Sequence, residues 1–266
     1  LGLGCSSPRS AGRSLGPWIA AHRGASYLAP ENTLTSARLA WELGADALEF
    51  DVWQSSDGRI VVIHDSSSER TSGEHLWVSK TDWTRLQALD VGKQKGREFT
   101  GEGIPLLSEL LATVPAKKWI LVEVKSGPEI IEGLAQVIDD SGKGERVVLM
   151  SFHLEVLALA RSRWPLMPLI FLKKARKDFS SGAHLPHEAN LIELVRNNGL
   201  DGLGLDARGL GPEFVRKVKA SGLILFVWTV DEPERARDLL KAGVDAVISN
   251  RPGWLREKLA GAASAD

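Results

Sequence analysis

Residues 47–65 read ALEFDVWQSSDGRIVVIHD and decide the fold. Two apolar runs, residues 47–52 and 60–64, flank the turn signal Ser-Ser-Asp-Gly. Only eight residues separate Asp51 from Ile60, whereas a crossover between parallel strands needs about a dozen residues or more. The second run is therefore predicted to fold back on the first as an antiparallel hairpin.

The rest of the chain alternates short apolar runs with amphipathic stretches of helical period, which is typical of parallel α/β proteins. One such stretch, residues 33–43, has Asn32 as its predicted N-cap and Gly44 at its end. Leaving the second run of the hairpin out of the strand count gives eight strands, the number in a (β/α)8 TIM barrel. The predicted strands lie near residues 18–22, 47–52, 60–64, 119–124, 146–151, 168–172, 202–206, 223–230 and 245–249.

The predicted domain organisation is a single barrel with short ends. Residues 17–260 form the barrel, and the glycine-punctuated residues 66–105 form a small insertion, which we expect over the barrel mouth, where it would shape substrate selection. Residues 1–16 are predicted to be a disordered leader, and residues 261–266 a flexible tail.

Bulk composition limits the function classes. The 266 residues are 43% hydrophobic, enough for a substantial core, and they contain no apolar run of about 18 residues that would span a membrane. A net charge of −1 argues against nucleic acid as a main partner. The single cysteine, Cys5, excludes an internal disulfide. Acylation of Cys5 is a second interpretation of the leader, which Gly2 disfavours because Leu or Val is usual at that position.

Acidic residues stand at the ends of two predicted strands, where a parallel barrel has its active site. Glu49 and Asp51 are two residues apart, so their side chains share one face and repel each other unless a cation lies between them. Glu123 and Lys125 repeat this spacing on the next barrel strand. Three carboxylates predict a site for Mg²⁺ or Ca²⁺ rather than zinc, with Lys125 on a phosphate oxygen beside it. The alternative for Lys125 is a plain ion pair with one of these acids.

Two histidines end predicted strands on the same face as the acids. A lone histidine at such a position is more often structural, but His22 and His64 together, beside carboxylates, favour general acid–base catalysis. Arg23 follows His22, and its guanidinium can bind two phosphate oxygens. The residues therefore predict metal-assisted cleavage of a phosphodiester. The remaining histidines are predicted to be structural or surface residues: His75, His153, His184 and His187.

The order of these motifs resembles the glycerophosphodiester phosphodiesterase family, in its compact bacterial form. Residues 22–65 contain HRG, PENT, GA, E-x-D, DG and HD, and E-x-K, VWTV and GVDAVISNRP follow at residues 123–125, 227–230 and 243–252. The similarity covers roughly residues 18–258. It implies a (β/α)8 barrel that hydrolyses glycerophosphodiesters to an alcohol and sn-glycerol 3-phosphate with one divalent metal ion.

The resemblance also implies residue roles. The nucleophile would be the glycerol 2-hydroxyl of the substrate, giving a cyclic phosphate that water later opens. Trp228 would pack against the glycerol or the leaving group, unless it is an ordinary core aromatic. Asn250 stands where the family usually has aspartate, and we expect it to alter structure or substrate contact rather than activity. The implied metal ligands are Glu49, Asp51 and Glu123, the acid–base pair is His22 and His64, and the phosphate-binding residues are Arg23 and Lys125.

Several alternatives stay open at this point. A lysophospholipase D would differ only in the mouth of the pocket. A sphingomyelinase-D-like phospholipase would use a similar site, but such secreted enzymes usually carry a disulfide, which this chain lacks. A non-catalytic phosphodiester-binding barrel would lack a histidine or a metal ligand, and none is missing. The compact insertion favours a cytoplasmic enzyme over one that is exported or lipid-anchored through Cys5. Head-group preference, the choice between Mg²⁺ and Ca²⁺, and oligomeric state do not follow from the sequence.

Overall fold

The computed structural model describes residues 15–263. Most of the predicted leader, Cys5 included, lies outside the described residues, and so does the end of the predicted tail. Leu15, within the predicted leader, is buried in the barrel interior. The final helix continues to Ala263 and includes the first part of the predicted tail. The proposed domain limits stay a prediction.

Strands and helices alternate along the described part of the chain in the predicted order. The strands are β1 Trp18–His22, β2 Ala47–Gln54, β3 Ile60–Val62, β4 Trp119–Val124, β5 Val147–Ser151, β6 Leu169–Lys173, β7 Gly202–Asp206, β8 Ile224–Trp228 and β9 Ala246–Ser249. The α-helices are α1 Leu34–Glu42, α2 Glu69–Ser72, α3 Trp83–Leu86, α4 Leu107–Thr113, α5 Ile130–Ser141, α6 Leu154–Arg163, α7 Leu191–Asn197, α8 Pro212–Ala220, α9 Pro233–Lys241 and α10 Pro252–Ala263.

Eight strands close into a parallel barrel. Their order is β1, β9, β8, β7, β6, β5, β4 and β2, and β2 pairs again with β1. Alternate side chains point inward and outward: Leu121 belongs to the barrel interior, whereas its neighbours Ile120 and Val122 pack with the surrounding helices. The predicted TIM barrel is therefore confirmed. Among the described helices, none combines the length and apolar character of a bilayer span.

The hairpin forms as the residue spacing predicts. Strand β3 is antiparallel to β2, with Val62 opposite Val52, and it therefore does not belong to the parallel barrel. Residues 66–105 pack on this hairpin through a separate apolar cluster that includes Val61, Val78 and Leu86. This packing places α2 beside the carboxyl end of the barrel, where Arg70 meets strand-end residues.

Candidate active site

Strand register brings the predicted acids together at the carboxyl end of the barrel. His22 on β1 lies opposite Glu49 on β2, and Asp51 on β2 lies opposite Glu123 on β4. One carboxylate oxygen from each of the three acids lies within 4.8 Å of the others. The predicted ligand set is therefore one cluster in space.

This cluster holds more negative charge than the neighbouring cations neutralise. Glu49 is 2% exposed, and its Oε1 has no hydrogen-bond partner among the described residues. Burial and the charges of Asp51 and Glu123 raise the pKa of Glu49 well above its usual value. Burial and Asp51 likewise raise the pKa of Glu123 to about 7. An unpartnered buried oxygen in an all-carboxylate cluster fits a hard divalent cation such as Mg²⁺ or Ca²⁺.

Two cations border the cluster. Lys125 Nζ lies 2.6 Å from Glu123 Oε1 and 3.4 Å from Asp51 Oδ1. Arg23 Nε lies 3.3 Å from Asp51 Oδ2, and the Arg23 backbone N–H donates to Glu49 Oε2 at 3.0 Å. Although burial alone would raise the pKa of Asp51, Lys125 and Arg23 hold it below its usual value. Both cations thus sit where a phosphate beside the acids would meet them.

The backbone is strained where it delivers Arg23. Its φ of 55° lies in the left-handed region, which non-glycine residues rarely occupy. Gly24 follows with a φ of 80°, and a Cβ there would lie 2.3 Å from Ser36 Oγ. This conformation is held by the barrel around it, and it lets the Arg23 backbone N–H reach Glu49. It explains why His-Arg-Gly stands at the end of β1.

His22 is oriented from the last barrel strand. Its Nδ1 lies 2.7 Å from Asn250 Oδ1, while Asn250 Nδ2 donates to Asp231 Oδ2 at 2.8 Å. Because the amide nitrogen faces Asp231, the amide oxygen must accept from His22 Nδ1–H. Burial, and then Arg23, lower the pKa of His22 to about 4. Asn250, which we expected to alter structure or substrate contact rather than activity, therefore contacts a predicted catalytic residue, and its effect on activity stays a prediction.

His64 returns to the site through the hairpin. The Ile63 backbone N–H donates to the Asp51 carbonyl at 3.0 Å, which places the next residue beside the acids. His64 Nδ1 lies 2.6 Å from Asp65 Oδ1. Burial holds the pKa of His64 below its usual value, although the charge of Asp51 and the hydrogen bond to Asp65 act in the opposite direction.

A charged network that the sequence does not predict connects Arg23 with Asp65, the hydrogen-bond partner of His64. Arg70 donates to both oxygens of Glu31, at 2.9 and 2.7 Å, and to Asp65 Oδ2 at 2.5 Å. Glu31 also accepts from Arg23 Nη1 at 2.9 Å. Asn32, the predicted N-cap of α1, instead donates to Asp51 at 2.9 Å, and the adjacent threonine caps the helix. The PENT and HD motifs contain Glu31 and Asp65 and could have indicated these two residues, but Arg70 lies outside every motif.

The cavity above the cluster, called here the site cavity, includes seven of the eight predicted site residues, with Asp51 buried beside it. Trp228 meets Phe152 edge to face, with ring centroids 5.9 Å apart. Among the described residues that line the cavity, none comes from 66–105, so a role of the insertion in substrate choice stays a prediction. The lining residues are His22, Arg23, Glu49, His64, Glu123, Lys125, Met150, Phe152, Leu172, Lys174, Trp228 and Ile248.

Buried acids in excess of their cations, with imidazoles beside them at the carboxyl end of a parallel barrel, define the class as a phosphoric diester hydrolase. Residues 22–254 match the glycerophosphoryl diester phosphodiesterase family. The chain belongs to this family.

Relatives and solved structures agree with this assignment. The chain is 34% identical over 242 residues to a glycerophosphodiester phosphodiesterase of Caldanaerobacter subterraneus subsp. tengcongensis, covering 89% of this chain and 95% of that protein. The barrel resembles a phosphodiesterase of Oleispira antarctica solved with its product sn-glycerol-3-phosphate, with a TM-score of 0.84 and 27% identity over 93% and 98% of the two chains. A Thermotoga maritima glycerophosphodiester phosphodiesterase matches with a TM-score of 0.71 and 26% identity, covering 91% and 97%.

Proposed function

We propose that this protein hydrolyses glycerophosphodiesters to an alcohol and sn-glycerol 3-phosphate, using a divalent cation and a histidine acid–base pair. The observation that carries the proposal is the excess of buried carboxylate charge beside two imidazoles in one cavity. Family membership supports the substrate class. The product bound to the Oleispira antarctica relative supports the same bond being cleaved here.

The cation would be held by Glu49, Asp51 and Glu123. Oxygen ligands alone favour Mg²⁺ or Ca²⁺. When bound, the cation would supply positive charge that polarises the phosphoryl group. Arg23 and Lys125 would neutralise phosphate oxygens at the edge of the cluster, and the Glu31 carboxylate would keep the Arg23 guanidinium in place.

The two histidines differ in their hydrogen bonds, and this difference supports a different role for each. His22 donates from Nδ1 to Asn250, so Nε2 keeps its lone pair, and with a pKa of about 4 the ring is neutral near pH 7. His22 is therefore suited to accept the proton of the attacking hydroxyl, which we take to be the glycerol 2-hydroxyl. His64 hydrogen-bonds the Asp65 carboxylate, which stabilises a protonated ring against the lowering effect of burial, so we assign to His64 the protonation of the leaving alkoxide. Trp228 would pack against the glycerol or the leaving group.

The test is the release of sn-glycerol 3-phosphate from glycerophosphocholine and glycerophosphoethanolamine with Mg²⁺, Ca²⁺ or EDTA. We expect metal-dependent release, and we expect His22→Ala to reduce its rate on the order of 10³-fold. His153→Ala is the matched control, because this exposed histidine pairs with Glu155 outside the site cavity, and it should keep wild-type activity. A wild type that leaves both diesters intact with every metal contradicts the proposal. Activity on lysolipids alone would favour lysophospholipase D instead.

A further inference from the structure

A third cationic residue, Lys174, lines the site cavity, at the carboxyl end of β6. Lys174 directly follows β6 and lines the cavity together with Leu172, which lies two residues earlier and therefore on the same face of the chain. Lys174 Nζ lies 5.5 Å from the centroid of the Phe152 ring, and Lys125 Nζ lies 5.9 Å from the same centroid. The Phe152 ring therefore lies within cation–π distance of both ammonium groups.

Lys174 differs from Lys125 in having no carboxylate within 4.0 Å among the described residues. The nearby acids are bound by other cations: Asp206, on the neighbouring strand β7, accepts from Arg208, and Glu188 pairs with Arg176. The Lys174 side chain is also exposed, so its ammonium group is open to a ligand in the cavity.

The position of Lys174 around the barrel determines which part of a substrate it meets. The acids and the proposed phosphate-binding residues lie at the ends of β1, β2 and β4, whereas Lys174 lies at the end of β6, with β5 between. With the phosphate beside Lys125 at the end of β4, Lys174, two strands further around the barrel, would face the organic substituents of the substrate. A positive charge there attracts an oxyanion and repels a quaternary ammonium group.

We propose that Lys174 is a specificity residue that favours glycerophosphodiesters whose alcohol carries an oxyanion, either a second phosphate or a carboxylate, over those with a cationic alcohol. The inference rests on the proposed function, since it concerns the same reaction in the same cavity. It adds a substrate preference that neither the acidic cluster nor the histidines can supply.

The test compares kcat/KM, from initial rates of sn-glycerol 3-phosphate release, for four diesters. Bis(glycerophospho)glycerol and glycerophosphoglycerate carry a phosphate and a carboxylate oxyanion on the alcohol, the alcohol of glycerophosphoglycerol is neutral, and that of glycerophosphocholine is cationic. The wild type should prefer the two substrates with an oxyanion. Comparing these two with each other shows whether phosphate or carboxylate is preferred. Lys174→Glu should shift the ratio of kcat/KM for anionic over cationic substrates by about 10-fold toward choline, because the reversed charge repels the oxyanion and attracts the quaternary ammonium group.

Lys177→Glu provides the matched control. Lys177 is an exposed lysine of the same loop that does not line the site cavity, so the same change of charge should leave the ratio close to wild type. An equal loss for all four substrates in Lys174→Glu would overturn the inference and assign Lys174 to the shared phosphate. A ratio unchanged by Lys174→Glu, or a wild type without preference, would also overturn it while the proposed function stands. A wild type inactive on all four diesters would remove both.

Discussion

Acidic residues lie at both ends of the barrel, but the two ends differ in how fully hydrogen bonds and cations compensate the carboxylate charge. At the amino end, Asp46, Asp201 and Asp245 immediately precede β2, β7 and β9. Each accepts a backbone N–H from the neighbouring barrel strand, at 3.0, 2.8 and 2.8 Å respectively. Each also has a cationic partner, in turn Arg256, Arg161 and Lys219.

Two acids of the cluster at the carboxyl end, Glu49 and Glu123, are not satisfied in this way. Glu49 keeps a buried oxygen without a partner among the described residues, and Glu123 has a pKa raised to about 7. Burying charge without full compensation costs stability, so this arrangement favours a role in binding over a role in stabilising the fold. An acid at a strand end with complete partners therefore indicates a structural role, whereas a buried acid in excess of its partners indicates a functional one.

The largest expected effect separates activity from stability at the carboxyl end. Glu49→Gln should reduce kcat/KM on the order of 10³-fold, because the cluster loses a proposed metal ligand. The same change should leave the melting temperature in EDTA equal or higher, since a neutral amide ends the repulsion with Asp51 and Glu123. Activity assays and thermal unfolding of the same samples check this. A melting temperature that falls in step with activity would give Glu49 a structural role.

The opposite result is expected at the amino end. Asp245→Ala should lower the free energy of unfolding by about 3 kcal/mol, because it leaves the Leu225 N–H and Lys219 without their acceptor. Asp245→Asn should cost less, since its amide oxygen still accepts from Leu225. Urea unfolding measures both changes. Because Asp245 is far from the chemistry, the folded variants should keep wild-type kcat, and a large loss of kcat would break the contrast between the two ends.

A smaller effect is expected from the network around the carboxyl end. Arg70→Ala should reduce kcat by about 10- to 100-fold, as is typical when a residue that orients catalytic groups is removed. Arg70→Lys should recover part of this loss. The control is Arg85→Ala, a second exposed arginine of the insertion, which pairs with Glu74 instead. Wild-type kcat in Arg70→Ala would show that Glu31 and Asp65 hold their positions without it.

The smallest effect concerns pH. The folded-state pKa of Glu123, about 7, lies above its ordinary value of 4.5, so the folded state binds more protons between these two values. Stability of the metal-free protein should therefore fall as pH rises through this range, and a divalent cation should reverse the loss. Thermal unfolding in EDTA from about pH 5 to about pH 8 checks the sign. A rise in stability over the same range would contradict the raised pKa.

Sequence reasoning succeeded where chemistry is local to a strand. The E-x-D spacing places Glu49 and Asp51 on one face, and the short link to Ile60 requires the hairpin that returns His64. It failed where contacts span the chain. Asn250 reaches His22 across 228 positions, and nothing in the sequence around either residue encodes that pairing.

Two further failures have a different cause, because one side chain can serve two purposes. An asparagine before a helix is a good N-cap, yet Asn32 binds Asp51 because Thr33 already caps α1. Lys174 reads as one of several basic residues after β6, and only the closed barrel shows that it faces the site cavity. Pairing around a closed barrel, rather than local propensity, decides these roles.

The most direct test of the central claim is calorimetric titration of the EDTA-treated protein with Mg²⁺ and Ca²⁺ at about pH 6 and about pH 8, on either side of the Glu123 pKa of about 7. We predict that the wild type binds one ion per chain, more tightly at the higher pH and with proton release at the lower pH. Glu49→Gln should not bind the ion. Absence of binding by the wild type at both pH values would contradict it. The excess charge at the carboxyl end would then need another explanation.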